Sequence, residues 1–213
     1  MAGQEATWDP QERWQSLFPD QPPAALQDSY QRLRLRYDEP HRAYHTFEHV
    51  KACLNHLDQH RDQLQDARAV ELALWYHDVI YNPRASDNEA RSADFAVDEL
   101  TRLGEPITTI ERVKRLIEVT EHPSIPRDDD EALLLDIDLA ILGAPANMYQ
   151  RYEDQVRQEY RWVPGPLYRR GRKKVLAAFL AAPSIYHSPP FQTQREAQAR
   201  DNLIRAREQL TKR

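Results

Sequence analysis

The stretch DDDEALLLDIDLAILG, residues 128–143, decides the fold of this chain. Its acidic start suits the amino end of a helix, where the helix dipole favours negative charge, and Gly143 suits the helix exit. Leucine and isoleucine dominate the rest of the stretch, and Asp136 and Asp138 supply the only polar side chains among them. A helix that is apolar all round is buried, so we expect this one to pack among other helices.

Prolines divide the rest of the chain into segments with helical periodicity. The 213 residues include 15 prolines and 5 glycines, and no alternation typical of a strand extends beyond a few residues. Asp9 before Pro10 and the pair Pro22 and Pro23 predict two helix starts, and Gly104 predicts a helix end. We expect an all-α bundle of about ten helices, folded as a single domain over residues 1–213.

Two segments match the capping box, in which a Ser or Thr and a Glu three residues later bond to each other's backbone. Ser86 with Glu89 predicts the start of a fifth helix, and Thr108 with Glu111 predicts that of a sixth. The last three helices are predicted at roughly residues 146–160, 166–182 and 194–212. The final one is highly charged, so we expect it on the outside of the bundle.

Composition excludes several classes of protein. The mean hydropathy is -0.82, and no uncharged apolar run approaches the roughly 20 residues that cross a bilayer. The first residues lack the basic flank and apolar run of a secretory signal, so we expect a cytoplasmic protein. The single cysteine, Cys53, excludes an intramolecular disulfide framework. A net charge of -5 lacks the basic excess that general binding to nucleic acid would favour.

The two aspartates of the apolar helix need an explanation. An ionised carboxylate in a low-dielectric core is costly unless it is paired or bound to a metal. Asp136 and Asp138 are two positions apart, about 200° around a helix, so both do not readily face one site. One of them is a candidate metal ligand, and we expect the other to meet a salt bridge or a helix neighbour.

Histidines stand near the buried faces of two further helices. His77 and Asp78 end the apolar run ELALWYHD, and His45 and His49 fall four residues apart in YHTFEHV. Imidazoles and carboxylates together make a mixed nitrogen and oxygen site that suits Mn, Fe, Co, Ni or, less well, Mg. Three separate helices therefore each offer a candidate ligand for a divalent cation.

The ordered set of His49, His77 with Asp78, and Asp138 resembles the HD superfamily of metal-dependent phosphohydrolases, all-helical proteins whose motif binds a divalent cation. The runs EPHRAYHTFEH, LWYHDVIYNP followed by NEARSA, and LLLDIDLAILG are similar to a bacterial family described as predicted metal-dependent HD-superfamily phosphohydrolases. This similarity extends over about residues 39–202. It implies that these four residues bind the metal in a motif-bearing core of about residues 39–145, with the C-terminal helices packed on it.

The segment YHTFEH is also similar to the YHN-x-x-H signature of cyclic nucleotide phosphodiesterases, in which the first histidine donates a proton and the second binds metal. That similarity implies His45 as proton donor and His49 as ligand. The residues after Asp138 are similar to the phosphodiesterase motif as well, which favours Asp138 over Asp136. Thr46 stands where those enzymes have asparagine, so cyclic nucleotide hydrolysis is not implied.

The resemblance implies a phosphohydrolase, with His45 and Asp78 as catalytic residues and a small phosphorylated metabolite or nucleotide as substrate. A metal-activated water would attack the phosphate ester. The alternative is a module that senses a metal or nucleotide in the same pocket without turnover. For both alternatives, the sequence leaves open whether the protein is a monomer or a homodimer.

Five further residues are candidates for supporting the site or binding substrate: Asp136, Glu89, His122, Arg42 and Arg172. The capping box already accounts for Glu89. His122 suits either a second metal or a phosphate, or simply the dipole at a helix carboxy end. Arg42 and Arg172 are candidates for charge-assisted bonds to phosphate, with solvated surface arginines as the alternative.

Overall fold

The computed structural model describes residues 8–121 and 124–212, in two units that meet in sequence between Ile125 and Pro126. These described residues form ten α-helices and two 3₁₀ helices, and they contain no strand. The prediction of an all-α protein with about ten helices is confirmed. The prediction of a single domain over residues 1–213 stays a prediction.

The first unit holds six α-helices within its described residues, and a short 3₁₀ helix, Arg61–Gln63, follows the third of them. In chain order the six are α1 Pro10–Ser16, α2 Pro23–Tyr37, α3 Phe47–His60, α4 Ala67–Tyr76, α5 Asn88–Arg102 and α6 Ile107–Glu118.

Helix α4 lies at the centre of the core of this unit. Every residue from Ala69 to Tyr76 is buried, and the helix packs against α3, α5 and α6. The indole of Trp75 contacts the rings of Trp14 and Phe47, with centroids 5.4 and 5.7 Å away. Burying a large apolar side chain stabilises the fold by about 1.5–3 kcal/mol, so this packing fixes the end of α4 firmly.

Several helix ends in this unit follow the prediction. The carboxylate of Asp9 accepts a hydrogen bond from the backbone N–H of Glu12 at 2.8 Å, and Pro10 is the first residue of α1. Gly104 follows α5 with a φ of 69°, a left-handed conformation that glycine adopts without steric cost.

The two predicted capping boxes are wrong. Helix α5 begins at Asn88 with Asp87 as its N-cap residue, whose side chain makes no capping hydrogen bond; the Asn88 side chain bonds to the backbone of Asn82 in the preceding segment. Helix α6 begins at Ile107 directly after Pro106, so Thr108 lies inside the first turn and not at its cap. Neither Ser86 nor Thr108 is the N-cap residue of its helix.

The second unit begins with the apolar stretch and continues with three longer helices. Its elements are α7 Asp129–Asp138, a 3₁₀ helix Leu139–Gly143, α8 Ala146–Glu159, α9 Gly165–Ala181 and α10 Pro189–Lys212. Helix α10 packs against the 3₁₀ helix, α8 and α9. Its fully buried Asn202 donates to the carbonyls of Leu142 and Ala144, both at 2.8 Å, so α10 is not simply an outer charged helix as predicted.

Gly143 is needed for a different reason from the one that its position predicts. Among the described residues, a positive φ occurs at Gly104 and not at Gly143. A Cβ atom on Gly143 would lie 2.6 Å from Cβ of Arg195 and 2.9 Å from the Arg195 carbonyl oxygen. The glycine therefore allows the backbone of α10 to approach the 3₁₀ helix closely.

No single helix in the described part of the chain has the length and apolar character to cross a membrane. The bent pair Asp129–Gly143 and Ala146–Glu159 meets that criterion only when its two helices are taken together.

Candidate metal centre

Three side chains predicted to bind metal come together in the first unit. The Nε2 atoms of His49 and His77 are 3.1 Å apart. Oδ2 of Asp78 lies 3.2 Å from Nε2 of His77 and 3.6 Å from Nε2 of His49. Ligand atoms that bind one ion at about 2.1 Å are about 3.0 Å apart in an octahedral site and about 3.4 Å apart in a tetrahedral one. The three atoms fit such a site.

His77 owes its orientation to the end of α4. It is the C-cap residue of that helix, it is 1% exposed, and its Nδ1 atom lies 3.0 Å from the carbonyl oxygen of Leu74. A carbonyl oxygen only accepts hydrogen bonds, so Nδ1 carries the hydrogen and Nε2 of the neutral ring has a lone pair. A backbone carbonyl of this kind fixes the tautomer that a metal-binding histidine needs.

Cys53 lies one helical turn after His49 on the buried face of α3. Its Sγ atom is 3.8 Å from both ring nitrogens of His49. His49, Cys53 and His77 each offer a ligand atom within 4.8 Å of the others. The only prediction for Cys53 was the exclusion of an intramolecular disulfide framework, although its spacing of four residues from His49 already put the two on one helix face.

The charges of this cluster keep Asp78 ionised. Burial by itself raises the pKa of Asp78, but positive charge on the neighbouring His77, His45 and His49 in their protonated forms outweighs burial and holds that pKa well below its usual range. A bound cation would take the place of that charge when the imidazoles are neutral. A carboxylate that stays ionised can bind a cation without first losing a proton.

His45 lies beside this cluster. Its half-buried ring stacks on Tyr81, with ring centroids 4.1 Å apart, and its centroid is 6.2 Å from that of His49. Nε2 of His41 lies 2.7 Å from the carbonyl oxygen of Tyr81, which also ties this loop to Tyr81. The structure thus places His45 near the three candidate ligands, and its role as proton donor stays a prediction.

The turn after His77 is held by two side chains of α5. Ser92 is fully buried, and its hydroxyl bonds to both the N–H and the carbonyl of Ile80, at 3.0 and 3.2 Å. Asn88 bonds in the same way to the backbone of Asn82, at 2.9 and 3.1 Å. Both residues belong to the NEARSA segment, and neither was predicted to support the site. The sequence contained one sign of this role, because Ser92 is a polar residue among the apolar positions of α5.

Of the two roles that the sequence left open for Arg42, supporting the site or binding a substrate phosphate, its surroundings do not suit the second. Its side chain is 0% exposed. Nη1 donates to the carbonyls of His45 and Asp78 at 2.9 and 2.7 Å, and Nη2 donates to that of Val79 at 2.9 Å. The guanidinium bonds to the backbone around the site and has no surface that reaches solvent.

Asp136 and Asp138 lie on α7 in the second unit. Asp136 is fully buried and accepts bonds from the N–H groups of His187 and Ser188 and from the Ser188 hydroxyl, at 2.7, 2.6 and 2.5 Å. Burial raises the pKa of Asp136, and these bonds oppose the rise without cancelling it. Asp136 thus holds the segment before α10. Asp138 is half-buried at the last residue of α7, and its role as a ligand stays a prediction.

The remaining candidates have other surroundings. The guanidinium of Arg172 bonds to Glu153 at 2.7 and 3.1 Å and to the Tyr152 hydroxyl at 3.1 Å, and its side chain is 10% exposed. This ion pair corrects the predicted phosphate role of Arg172, because it engages the guanidinium inside the unit. Glu89 lies in the first turn of α5, where the helix dipole stabilises its negative charge. His122 lies outside the described residues.

No family model, curated protein or solved structure matches this chain. The fold and site define an all-α protein with a candidate centre for a divalent cation in its first unit.

Proposed function

We propose that this chain is a metal-dependent phosphohydrolase that binds a divalent cation through His49, His77 and Asp78, with Asp138 as a fourth ligand. The observation that supports the proposal is the triangle of two Nε2 atoms and one carboxylate oxygen, with sides of 3.1, 3.2 and 3.6 Å. Asp138 enters the proposal from the sequence resemblance alone. The same resemblance to the HD superfamily supplies the phosphohydrolase activity.

The residues of the chain have distinct tasks in this proposal. A divalent cation supplies polarisation of the phosphoryl group and lowers the pKa of water. His77 presents a lone pair because its Nδ1 hydrogen bonds to Leu74, and Asp78 contributes the negative charge. This mixed donor set suits Mn, Fe, Co or Ni, and Mg less well.

His45 is the proposed proton donor to the leaving oxygen of the substrate. Histidine exchanges protons near neutral pH, as a general acid must. Stacking against Tyr81 holds the ring beside the cluster, and its half-buried position leaves part of it open to a small molecule. The substrate we propose is a small phosphorylated metabolite or nucleotide.

A sensor that binds metal or nucleotide without turnover is the second candidate. The inward orientation of Arg42 and Arg172 favours a sensor of metal over one of nucleotide, because both predicted phosphate-binding guanidinium groups are engaged within the protein.

Metal analysis of protein purified without chelator tests the proposal. The wild type is compared with Asp78→Ala and with a control, Asp58→Ala, whose carboxylate pairs with Arg13 at 2.7 Å in the same unit. Near-stoichiometric metal in the wild type and the control, but not in Asp78→Ala, supports the site. Absence of metal from the wild type after reconstitution contradicts it. Phosphate release with Mn, Co, Ni or Mg then decides between hydrolase and sensor.

A further inference from the structure

Arg42 connects two segments that are far apart in sequence. It lies in the loop between α2 and α3, close in sequence to His45, and its Nη1 atom donates to the carbonyls of both His45 and Asp78. Nη2 donates to Val79, the next residue along the same turn. One planar group thus bonds to the backbone of the proposed proton donor and of a proposed metal ligand.

The surroundings of Arg42 keep the guanidinium in this position. A buried cation is tolerated only where its donors are bonded, and Nε completes the set by donating to Glu39 at 3.2 Å. The rings of Tyr37 and Tyr81 lie 5.1 and 5.5 Å from the guanidinium carbon. Tyr81 is also the ring on which His45 stacks. The guanidinium therefore contacts both the backbone of His45 and the ring that holds the His45 side chain.

We infer that Arg42 is a positioning residue that holds the His45 loop and the His77–Asp78 turn in one fixed arrangement. This inference rests on the proposed function for the roles of His45 and Asp78. The fork of an arginine is required because three carbonyls lie around it in different directions, and a lysine ammonium cannot reproduce that rigid geometry. Groups that orient metal ligands in this way affect metal affinity by 10- to 100-fold when they are removed.

A purely structural arginine would have different consequences. Arg13 provides the matched control, because its side chain is 10% exposed in the same unit and bonds to Asp58 at 2.7 Å and Glu71 at 2.6 Å. Loss of Arg13 should loosen the packing of α1 on this unit without moving the candidate ligands.

The experiment compares Arg42→Met, Arg42→Lys and Arg13→Met with the wild type. The first readout is the dissociation constant for Co²⁺, and the second is the set of histidine ring proton NMR signals of chelator-treated protein. We expect both Arg42 variants to bind Co²⁺ on the order of 10-fold more weakly or worse, with shifted His45 and His77 signals. Arg13→Met should keep the wild-type Co²⁺ affinity and histidine signals, even where its melting temperature falls as far as that of the Arg42 variants. Arg42→Lys keeps the charge, so it provides the test if Arg42→Met does not fold.

Two outcomes overturn the inference. One is Co²⁺ affinity within twofold of wild type with unmoved histidine signals in Arg42→Lys. The other is an equal loss of affinity in Arg13→Met, which would show general loosening of the unit. If the wild type binds no Co²⁺, the proposed function is contradicted, and the NMR comparison still decides whether Arg42 positions His45 and His77.

Discussion

The Nε2 atoms of His49 and His77 lie 3.1 Å apart, although the two imidazoles belong to different helical segments of the first unit. Nδ1 of His77 already bonds to a carbonyl, so Nε2 of the neutral ring presents a lone pair to His49. Such a contact is favourable when a hydrogen of His49 or a shared cation lies between the two nitrogens. Packing of α3 on α4 therefore creates a place where a cation can replace a proton.

Removal of one of these imidazoles should abolish metal binding without unfolding the protein. We expect His77→Ala to bind Co²⁺ more than about 100-fold more weakly than the wild type, since loss of a ligand exceeds the effect of losing its support. The control is His60→Ala. His60 is a buried histidine at the end of α3, and its side chain lies 3.1 Å from that of Gln63. Calorimetric titration measures both. Equal affinities of His77→Ala and the wild type would refute the assignment of His77.

Substitutions of the two aspartates of α7 should affect different properties, stability for Asp136 and metal binding for Asp138. We expect Asp136→Asn to lower the free energy of unfolding by about 2–4 kcal/mol, because an amide hydrogen would face the buried N–H donors of His187 and Ser188. Asp138→Asn should cost little stability and reduce the bound metal. Denaturant unfolding and metal analysis of the same samples test both statements. Metal loss in Asp136→Asn with full occupancy in Asp138→Asn would reverse the assignment.

Two glycines of the second unit should respond in opposite directions to the same substitution. We expect Gly143→Ala to destabilise the protein by about 1–3 kcal/mol, since the new methyl group would overlap Arg195. Gly171 lies inside α9, and a Cβ there would meet nothing within 4 Å. Gly171→Ala should therefore stabilise the helix by up to about 1 kcal/mol. Thermal unfolding of the pair measures the difference, and equal effects would contradict the close approach at Gly143.

Substitution of His45 should affect turnover and leave the metal in place. If His45 donates the proton, His45→Asn should release phosphate from an alkyl phosphate monoester, whose alkoxide leaving group needs a proton, about 10²- to 10⁴-fold more slowly, at unchanged metal content. Stopped assays at saturating metal measure the rate. A rate equal to that of the wild type would remove His45 from the mechanism, and a loss of metal would make it a ligand.

Much of the helical structure was predictable because local signals determine it. Proline at a first turn, the cap at Asp9 and the left-handed Gly104 act over a few residues, so a sequence contains them in full. The predicted capping boxes at Ser86 and Thr108 are wrong because a neighbouring residue is the N-cap in each helix. Pro106 is the N-cap residue of α6, two residues before the cap that the box predicts, and Asp87 is the N-cap residue of α5, one residue after Ser86.

The candidate site was predictable only as a set of residue types. His49, His77 and Asp78 were identified as ligands, and the structure brings their atoms within 3.6 Å. Among the partners that hold them, Ser92 was passed over, and Arg42 was a candidate either for supporting the site or for binding substrate, with a solvated surface arginine as the alternative. An arginine on a surface and one bonded to three carbonyls look the same in sequence, because burial depends on residues distant along the chain.

The sequence by itself determined the all-α class, the approximate helices and the residue types able to bind a cation, because these follow from local preferences and from the chemistry of single side chains. The tertiary structure alone decided which of these groups meet. It placed Arg42 inward, turned Gly143 into a point of close contact, and gave Asp136 three donors from the segment before α10. Each of these depends on contacts between residues far apart in sequence, and only packing of the helices creates such contacts.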